Sequence, residues 1–341
     1  MQIFILATER SGSNLLRSIL SAHNLIVAPP APNIVSYLAD YYQNYGDLQY
    51  RDNLLQLIHD CLDLCEIHPN PWGLESTAEE IADKIKIPTF WQVYHTIFQS
   101  YAEKEDKIHW VSKDIQSYRF AFEILAELDD VRFIYLARDG RDVALSMIKS
   151  DVHGKNVFLN ANLWKKEQSQ MLKLFHSLPK NRIIMTHYED LLNNPTFEIT
   201  KITDFLGIDF EENMVQFHQS EKSEQAAESS KYWENLTKPI MTSNYNKFIN
   251  QMSLQDIWIF ESVAGNQLSA LGYGIVVKGP RIKIPLIKQF YYWISNIIQI
   301  KINKGSYLNE PNRQERKDLI RTIYKRLEVQ REYSLFRLLP P

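Results

Sequence analysis

The segment from Ile3 to Leu20 constrains the fold more than any other part of this chain. It opens with a run of apolar residues, IFILA, which predicts a strand that is buried on both faces, as in a parallel sheet. A polar loop, TERSGSN, occupies positions 8–14, and apolar residues then recur at helical spacing. A buried strand that leads through a polar turn into a helix predicts an α/β protein with a central parallel sheet.

The loop at positions 8–14 has the chemistry of an anion site. It offers hydroxyl groups, the guanidinium of Arg10, the backbone freedom of Gly12 and the unpaired N–H groups of a helix N-terminus. Its spacing matches the nucleoside-triphosphate loop, but Ser13 and Asn14 stand where that loop has a lysine and a magnesium-binding hydroxyl. The pattern therefore predicts a metal-free anion site, and a strand–turn–helix unit without an anion is the alternative.

A second strand, turn and helix unit follows between positions 131 and 149. VRFIYLA predicts a buried strand, RDGRD a turn, and the residues after it a helix. Arg138 leaves the end of this strand and Ser146 lies two turns into the helix, so both can reach one anion. A shorter strand, HWVS, leads to Lys113. Two such units in one chain indicate a ligand with two separate anionic groups.

Length and charge exclude several classes of protein. A chain of 341 residues that is 45% hydrophobic can bury one large α/β domain with insertions. A net charge of −3 gives no reason to expect a nucleic acid partner. The first strand begins without a basic leader, and no apolar run reaches the length of about 18 residues that a membrane span needs, so we expect a cytoplasmic protein.

Residues 34–101 predict a helical insertion that is rich in aromatic side chains. We expect it to build a substrate pocket, although core packing would explain any single aromatic residue equally well. Cys61 and Cys65 lie in this segment with His59 and His68 nearby. Their spacing matches no standard zinc site, so we expect thiols and no metal.

These motifs resemble the sulfotransferases that use 3′-phosphoadenosine 5′-phosphosulfate (PAPS), in particular the branch of tyrosylprotein and many bacterial sulfotransferases. The resemblance is carried by TERSGSNLL, SKD and FIYLARDGRDVALSMIKS. MTHYEDLLNNP, the segment from Trp233 to Lys247 and LGY at 271–273 support it. It spans about residues 2–275 and implies a P-loop-like three-layer sandwich with a central parallel sheet. Residues 1–275 would form the sulfotransferase domain, with 34–101 as its acceptor-pocket insertion.

The resemblance also assigns the 5′ end of PAPS to the first loop. Arg10, Ser11, Gly12, Ser13 and Asn14 would bind the 5′-phosphosulfate. Arg10 would also be catalytic, because charge develops on the departing phosphate during sulfuryl transfer.

Lys113 would be the second catalytic residue, beside the bridging oxygen. Arg138 and Ser146 would bind the 3′-phosphate, Tyr188 would lie near the adenosine, and Lys247 would return to the 5′-phosphate side. These cations would make a metal unnecessary, and none is expected. The product would be 3′-phosphoadenosine 5′-phosphate (PAP).

The resemblance fails at the general base. The tyrosylprotein branch has a glutamate after the first helix, where this chain has Pro30 and Ala31. The cytosolic branch has a histidine two residues after the lysine, where this chain has Ile115. Either the base comes from elsewhere, with Glu9, Glu75, His95 and Asp114 as candidates, or a base is only weakly required because the acceptor is already nucleophilic.

Residues 276–341 predict a basic, amphipathic, helical C-terminal extension. From Ile275 onward the chain has 14 Lys and Arg residues but 5 Asp and Glu residues. A stretch that begins at Ile284 is amphipathic and too polar to span a membrane. It could pack on the body, cap the acceptor pocket, form a dimer contact or lie on an anionic membrane surface.

The favoured function is sulfuryl transfer from PAPS to a hydroxyl or amine of a small molecule, such as a secondary metabolite. One alternative is a P-loop-like nucleotide-binding or kinase-like protein that transfers no sulfuryl group. The other is a sulfotransferase that acts on a glycan or on protein tyrosine.

Overall fold

One parallel sheet of five strands forms the centre of the molecule. The computed structural model describes residues 1–150, 153–220, 234–281, 283–308 and 312–329. Within these ranges the strands are β1 (Gln2–Leu6), β2 (Ile26–Val27), β3 (His109–Ser112), β4 (Val131–Ala137) and β5 (Ile183–His187). Their order across the sheet is β2-β3-β1-β4-β5, and every neighbouring pair is parallel.

The helices follow the strands along the chain and cover both faces of the sheet. Before β4 they are α1 (Ser13–Ser21), α2 (Ile34–Leu38), α3 (Arg51–Glu66), α4 (Ala78–Lys84), α5 (Phe90–Lys104) and α6 (Ala121–Glu127). After β4 they are α7 (Gly140–Lys149), α8 (Val157–Ser177), α9 (Tyr188–Asn193), α10 (Pro195–Leu206), α11 (Glu212–Val215), α12 (Phe248–Gln251), α13 (Leu254–Ala270), α14 (Leu286–Leu308) and α15 (Arg313–Arg326). Short 3-10 helices span Tyr42–Tyr45, Ser117–Phe120, Phe217–Gln219 and Glu234–Thr237.

Strand β1 is buried on both faces, as its apolar run predicts. Phe4 and Leu6 belong to a core that includes residues of α3, α5, α8 and α13. Ile3 and Ile5 belong to a second core, which includes residues of α1 and α10. Because side chains alternate along a strand, this division sets the three-layer α/β sandwich that the sequence predicts.

The strand order brings three loop regions to one edge of the sheet. β1 lies between β3 and β4, and Leu6 at its end pairs with Tyr135 of β4. Since all strands are parallel, the chain leaves β1, β3 and β4 on the same side. Ligands of open parallel sheets bind at such a point, where the strand order changes direction.

The insertion at 34–101 folds into α2 to α5, and most of its large aromatic side chains are core residues. Those that are buried are Tyr45, Trp72, Phe90, Trp91, Tyr94 and Phe98. Their density is therefore explained by packing, and the acceptor pocket stays a prediction. Cys61 and Cys65 are buried free thiols, and burial raises the pKa of both above its ordinary value.

The C-terminal helices lie against the body of the protein. In α15, Arg316 donates to the carbonyl of Pro32 at 2.6 Å, and the hydroxyl of Tyr324 donates to the carbonyl of Tyr37 at 3.0 Å. No helix in the described ranges is long and apolar enough to cross a bilayer.

Candidate active site

The loop between β1 and α1 contains two residues with positive φ. Gly12 has φ of 90° and Arg10 has φ of 67°, both in the left-handed region that glycine favours. A Cβ atom on Gly12 would lie 2.3 Å from the ring of Tyr188. Glycine is therefore required at position 12 both for its dihedral angle and for the approach of that ring.

The N-terminus of α1 is open to an anion. Gly12 precedes the helix and offers no capping side chain, and the first turn has no acidic residue. The first N–H groups of a helix have no partner within it, and they attract negative charge. Beside them, the hydroxyl of Ser11 is buried and makes no hydrogen bond within the described part of the chain. A ligand oxygen would satisfy it, since buried polar groups are seldom left unpaired.

Lys113 approaches this loop from the end of β3. Its Nζ donates to Oδ1 of Asn14 at 3.0 Å. Burial, helped by the neighbouring Arg17 cation, lowers the pKa of Lys113 to about 8. The ammonium group is therefore charged at neutral pH and loses its proton more easily than an ordinary lysine.

The second junction, between β4 and α7, meets the first directly. Nε of Arg10 donates to Oγ of Ser146 at 3.1 Å, and Nη1 of Arg138 donates to the carbonyl of Arg10 at 2.9 Å. The guanidinium of Arg138 stacks on Tyr188, with its Cζ 4.3 Å from the ring centroid. The Nε of Arg138 is buried and makes no hydrogen bond within the described residues. The structure thus brings the two predicted phosphate junctions into one crevice.

A buried polar cluster fixes the start of α7. Arg141 donates to Asp139 at 2.7 Å and to Glu261 at 2.5 Å. The backbone N–H of Asp139 donates to Glu189 at 3.0 Å, and the Tyr273 hydroxyl donates to the same carboxylate at 2.9 Å. Glu189 and Tyr273 belong to the YED and LGY motifs, so these distant motifs hold the turn that presents Arg138.

The segment before α12 returns to the second junction. The Nη2 of Arg138 donates to the carbonyl of Asn244 at 3.1 Å, and the side-chain amide of Asn244 donates to the Tyr188 hydroxyl at 2.8 Å. Next to it, Lys247 is exposed. Its predicted return to the 5′-phosphate side stays a prediction. Trp233 lies outside the described residues.

Sequence comparison identifies the family. A model of the sulfotransferase family matches residues 2–212, which include both junctions and Lys113. The chain belongs to the sulfotransferase family. The prediction from the motifs is thereby confirmed.

Individual relatives of this sulfotransferase are distant. A Caenorhabditis briggsae protein, named as a candidate protein-tyrosine sulfotransferase, is 28% identical over 151 residues. That match covers 41% of this chain and 54% of the relative, so the chain spans about half the length of that protein.

Solved structures of sulfotransferase domains share the fold. The domain from the Synechococcus PCC 7002 olefin synthase has a TM-score of 0.57 at 20% identity, covering 81% of this chain and 96% of its own. The domain from the curacin biosynthetic pathway has a TM-score of 0.56 at 20% identity, covering 80% of this chain and 98% of its own. The predicted P-loop-like sandwich is therefore confirmed.

Of the four candidate bases in this sulfotransferase, Glu9 lies at the phosphate loop. Its Oε2 accepts a hydrogen bond of 2.6 Å from Nε2 of His153, whose Nδ1 lies 2.8 Å from Oγ of Ser150. The Glu9 carboxylate also acts on the pKa of Lys113, which it raises against the effect of burial. Glu9 thus precedes Arg10 in the chain and lies close enough to Lys113 to affect its pKa.

The other three candidates differ from Glu9 in their surroundings. Asp114 is buried and accepts from the backbone N–H of Val35 at 2.8 Å, which anchors the start of α2. His95 accepts from Trp110 at 3.3 Å, and Trp110 pairs with the first residue of β1, at the opposite edge of the sheet. Glu75 is an exposed residue of the insertion.

Two residues of the site escaped sequence reasoning. His153 contacts Glu9 across 144 positions, and Asn244 contacts Arg138 across 106. His153 belongs to no motif, so the sequence carried no signal for it. Asn244 lies in the segment from Trp233 to Lys247 that supports the resemblance, but nothing in the sequence singles it out there.

Proposed function

We propose that this sulfotransferase transfers a sulfuryl group from PAPS to a hydroxyl or amine of a small acceptor, such as a secondary metabolite. The observation that carries the proposal is the meeting of the two cationic junctions, in which Arg10 bonds Ser146 and Arg138 bonds the carbonyl of Arg10. PAPS has anionic groups at its 5′ and 3′ ends. A ligand of this kind matches a crevice with one anion site on each side.

The residues present fit such a ligand. Buried polar atoms without a described hydrogen bond occur at both junctions, namely Oγ of Ser11 and Nε of Arg138. Ligand oxygens at the 5′ and 3′ ends would pair with them. We propose that residues 10–14 bind the 5′-phosphosulfate and that Arg138 and Ser146 bind the 3′-phosphate. Tyr188 would lie beside the adenosine.

The reaction would be an in-line displacement at sulfur. The acceptor oxygen or nitrogen forms a bond to sulfur while the bond to the bridging phosphate oxygen breaks, and PAP leaves with the bonding electrons. Negative charge therefore grows on the departing phosphate, where Arg10, Lys113 and the N–H groups of α1 would stabilise it. In this proposal these groups supply the charge that a metal ion supplies in many phosphoryl transfers.

We propose that Glu9 accepts the proton that the attacking hydroxyl or amine of the acceptor loses. Its carboxylate is held by His153 at 2.6 Å and lies next to Arg10 in the chain. A positioned carboxylate accepts the proton as the acceptor attacks. His153 would orient Glu9, because its ring N–H donates to the carboxylate.

Calorimetry tests the donor. We expect PAP to bind in the presence of a chelator and more tightly than ATP, because the crevice has a second anion site that ATP cannot fill. Tight ATP binding that depends on magnesium, with weak binding of PAP, would instead support the kinase-like alternative.

A screen with labelled PAPS tests the acceptor. The Caenorhabditis briggsae relative supports a tyrosine-containing protein as the second candidate, over the half of its length that is matched. The screen should therefore include small hydroxyl and amine compounds, a glycan and a tyrosine peptide. A cytoplasmic location is part of the same proposal, and cell fractionation at high salt, which releases peripheral proteins from membranes, tests it.

A further inference from the structure

Helix α14 exposes a continuous apolar stripe. Ile287 and Ile302, near its two ends, are 85% and 75% exposed. The other large apolar side chains that the structure shows exposed on this helix are Leu286, Phe290, Tyr291, Ile294 and Ile298. Their spacing places them along one side of the helix. Monomeric proteins rarely expose so large an apolar patch unless it contacts a partner or a membrane.

The other side of α14 is fixed to the protein. The side-chain oxygen of Asn296 accepts from the backbone N–H of Lys155 at 3.0 Å. The rings of Tyr292 and Phe158 lie 5.6 Å apart, and Ile284 just before the helix is buried in the core. The stripe therefore points outward from a helix whose opposite side is held by the body of the protein.

The charge around the stripe favours one occupant. The sequence from position 262 to 309 contains six Lys and Arg residues and neither Asp nor Glu. Lys278 and Lys283, just before the helix, are exposed. A symmetric dimer through this face would bring two basic segments together, because a two-fold interface pairs like with like. Anionic lipid headgroups would instead neutralise them.

We propose that the stripe of α14 docks on an anionic membrane surface and holds the sulfotransferase there as a peripheral protein. The helix would lie in the interface with its apolar side chains among the acyl chains, and the basic residues would meet the headgroups. Tyr291 is a residue of the kind enriched at the membrane–water interface, and Phe290 is of the kind found on the apolar face of interfacial helices.

Vesicle cosedimentation of the full chain tests this docking. The probes are vesicles of phosphatidylcholine alone and of phosphatidylcholine mixed with phosphatidylglycerol. We expect binding to the anionic vesicles only, and we expect salt to weaken it, since the Debye length falls from about 10 Å at 0.1 M to about 3 Å at 1 M.

Matched variants distinguish vesicle binding through the stripe from general effects of changing exposed apolar residues. Phe290→Glu with Ile298→Glu should weaken vesicle binding by about tenfold or more, because two apolar side chains lose their burial in lipid. Phe122→Glu with Leu254→Glu changes two equally exposed apolar residues elsewhere and should leave it unchanged. Lys278→Glu with Lys283→Glu keeps the stripe and should remove the preference for anionic vesicles.

Three results would overturn the docking. One is the absence of binding to either kind of vesicle by the folded full chain. Another is an equal loss of vesicle binding in the stripe variant and the control variant. The third is a dimer that light scattering detects and that the stripe variant converts to monomer without any vesicle binding. Circular dichroism of each variant shows whether it is folded.

Discussion

Nε of Arg10, in the loop after β1, donates a hydrogen bond of 3.1 Å to Oγ of Ser146, which lies two turns into α7. The residues are 136 positions apart, yet they join the two loops that the sequence marks as anion sites. Because β1 and β4 are neighbours in the sheet, their loops leave it side by side. A single ligand can therefore contact both loops.

Arg138→Ala should remove the preference for PAP over 5′-AMP, which differs only in lacking the 3′-phosphate. A hydrogen bond to a charged group contributes about 1.5–3 kcal/mol, so PAP affinity should fall by about tenfold to a hundredfold more than AMP affinity does. Calorimetry measures both. Arg132→Ala, at the other end of the same strand, is the control and should change neither affinity. An equal loss for PAP and AMP would show that Arg138 does not bind the 3′-phosphate.

Lys113→Ala should reduce turnover more than PAP affinity. Removing a donor that acts on charge developing in the transition state costs about 10²–10³ in rate. Single-turnover transfer of labelled sulfuryl and calorimetry with PAP give the two quantities. Unchanged turnover would reject a catalytic role for Lys113.

The lowered pKa of Lys113 should make the activity of this enzyme depend on pH. Because burial and Arg17 lower the pKa to about 8, the stabilising ammonium is lost as the pH rises through that value. We therefore expect kcat/KM to fall above about pH 8. In Lys113→Arg the guanidinium stays charged, so any activity it retains should not fall over this range. A wild-type profile that stays flat to pH 10 would contradict this role.

Glu9→Gln should lower turnover by about 10²–10⁴, the usual contribution of a general base, and leave PAP affinity little changed. His153→Ala should lower turnover by a smaller factor, since His153 only orients the carboxylate of Glu9. Glu75→Gln, an exposed acid of the insertion, is the control. If Glu9→Gln and Glu75→Gln have the same activity, the base lies elsewhere.

Gly12→Ala should abolish PAP binding, because the added Cβ would lie 2.3 Å from the Tyr188 ring. Gly207→Ala is a matched control. Gly207 also has positive φ, at 71°, but a Cβ there would meet no atom within 4 Å. The control should lose only about 1–2 kcal/mol of stability to backbone strain and keep its PAP affinity. Calorimetry and thermal unfolding separate the two effects, and equal PAP affinities would mean that the Tyr188 contact is unimportant.

The sequence predicted the central strands and their junctions because these depend on local patterns. An apolar run such as IFILA can only be buried on both faces, and a polar loop after it must lie at the sheet edge. The contact between Arg10 and Ser146 could not be predicted without knowing the strand order. The sequence indicated only that each residue faces an anion.

The sequence could not place contacts that arise from folding over long distances. The sequence offers Glu9 as one of four candidate bases, and only the fold places His153 beside it. Asp114 looked equally suited, but the backbone of α2 occupies its carboxylate. Aromatic side chains such as Tyr94 and Phe98 suggest a pocket from the sequence, but in the structure they are core residues. Residue type alone does not distinguish a pocket wall from a core.

The unpartnered Oγ of Ser11 and Nε of Arg138 have a consequence beyond catalysis. Each buried polar group left unpaired costs a folded protein about 1–3 kcal/mol, and a nucleotide that pairs with both would remove that cost. Ligand binding also raises folding stability by mass action. Under the proposed function, bound PAPS or PAP would therefore stabilise the folded protein, and a cell short of that nucleotide should degrade it faster.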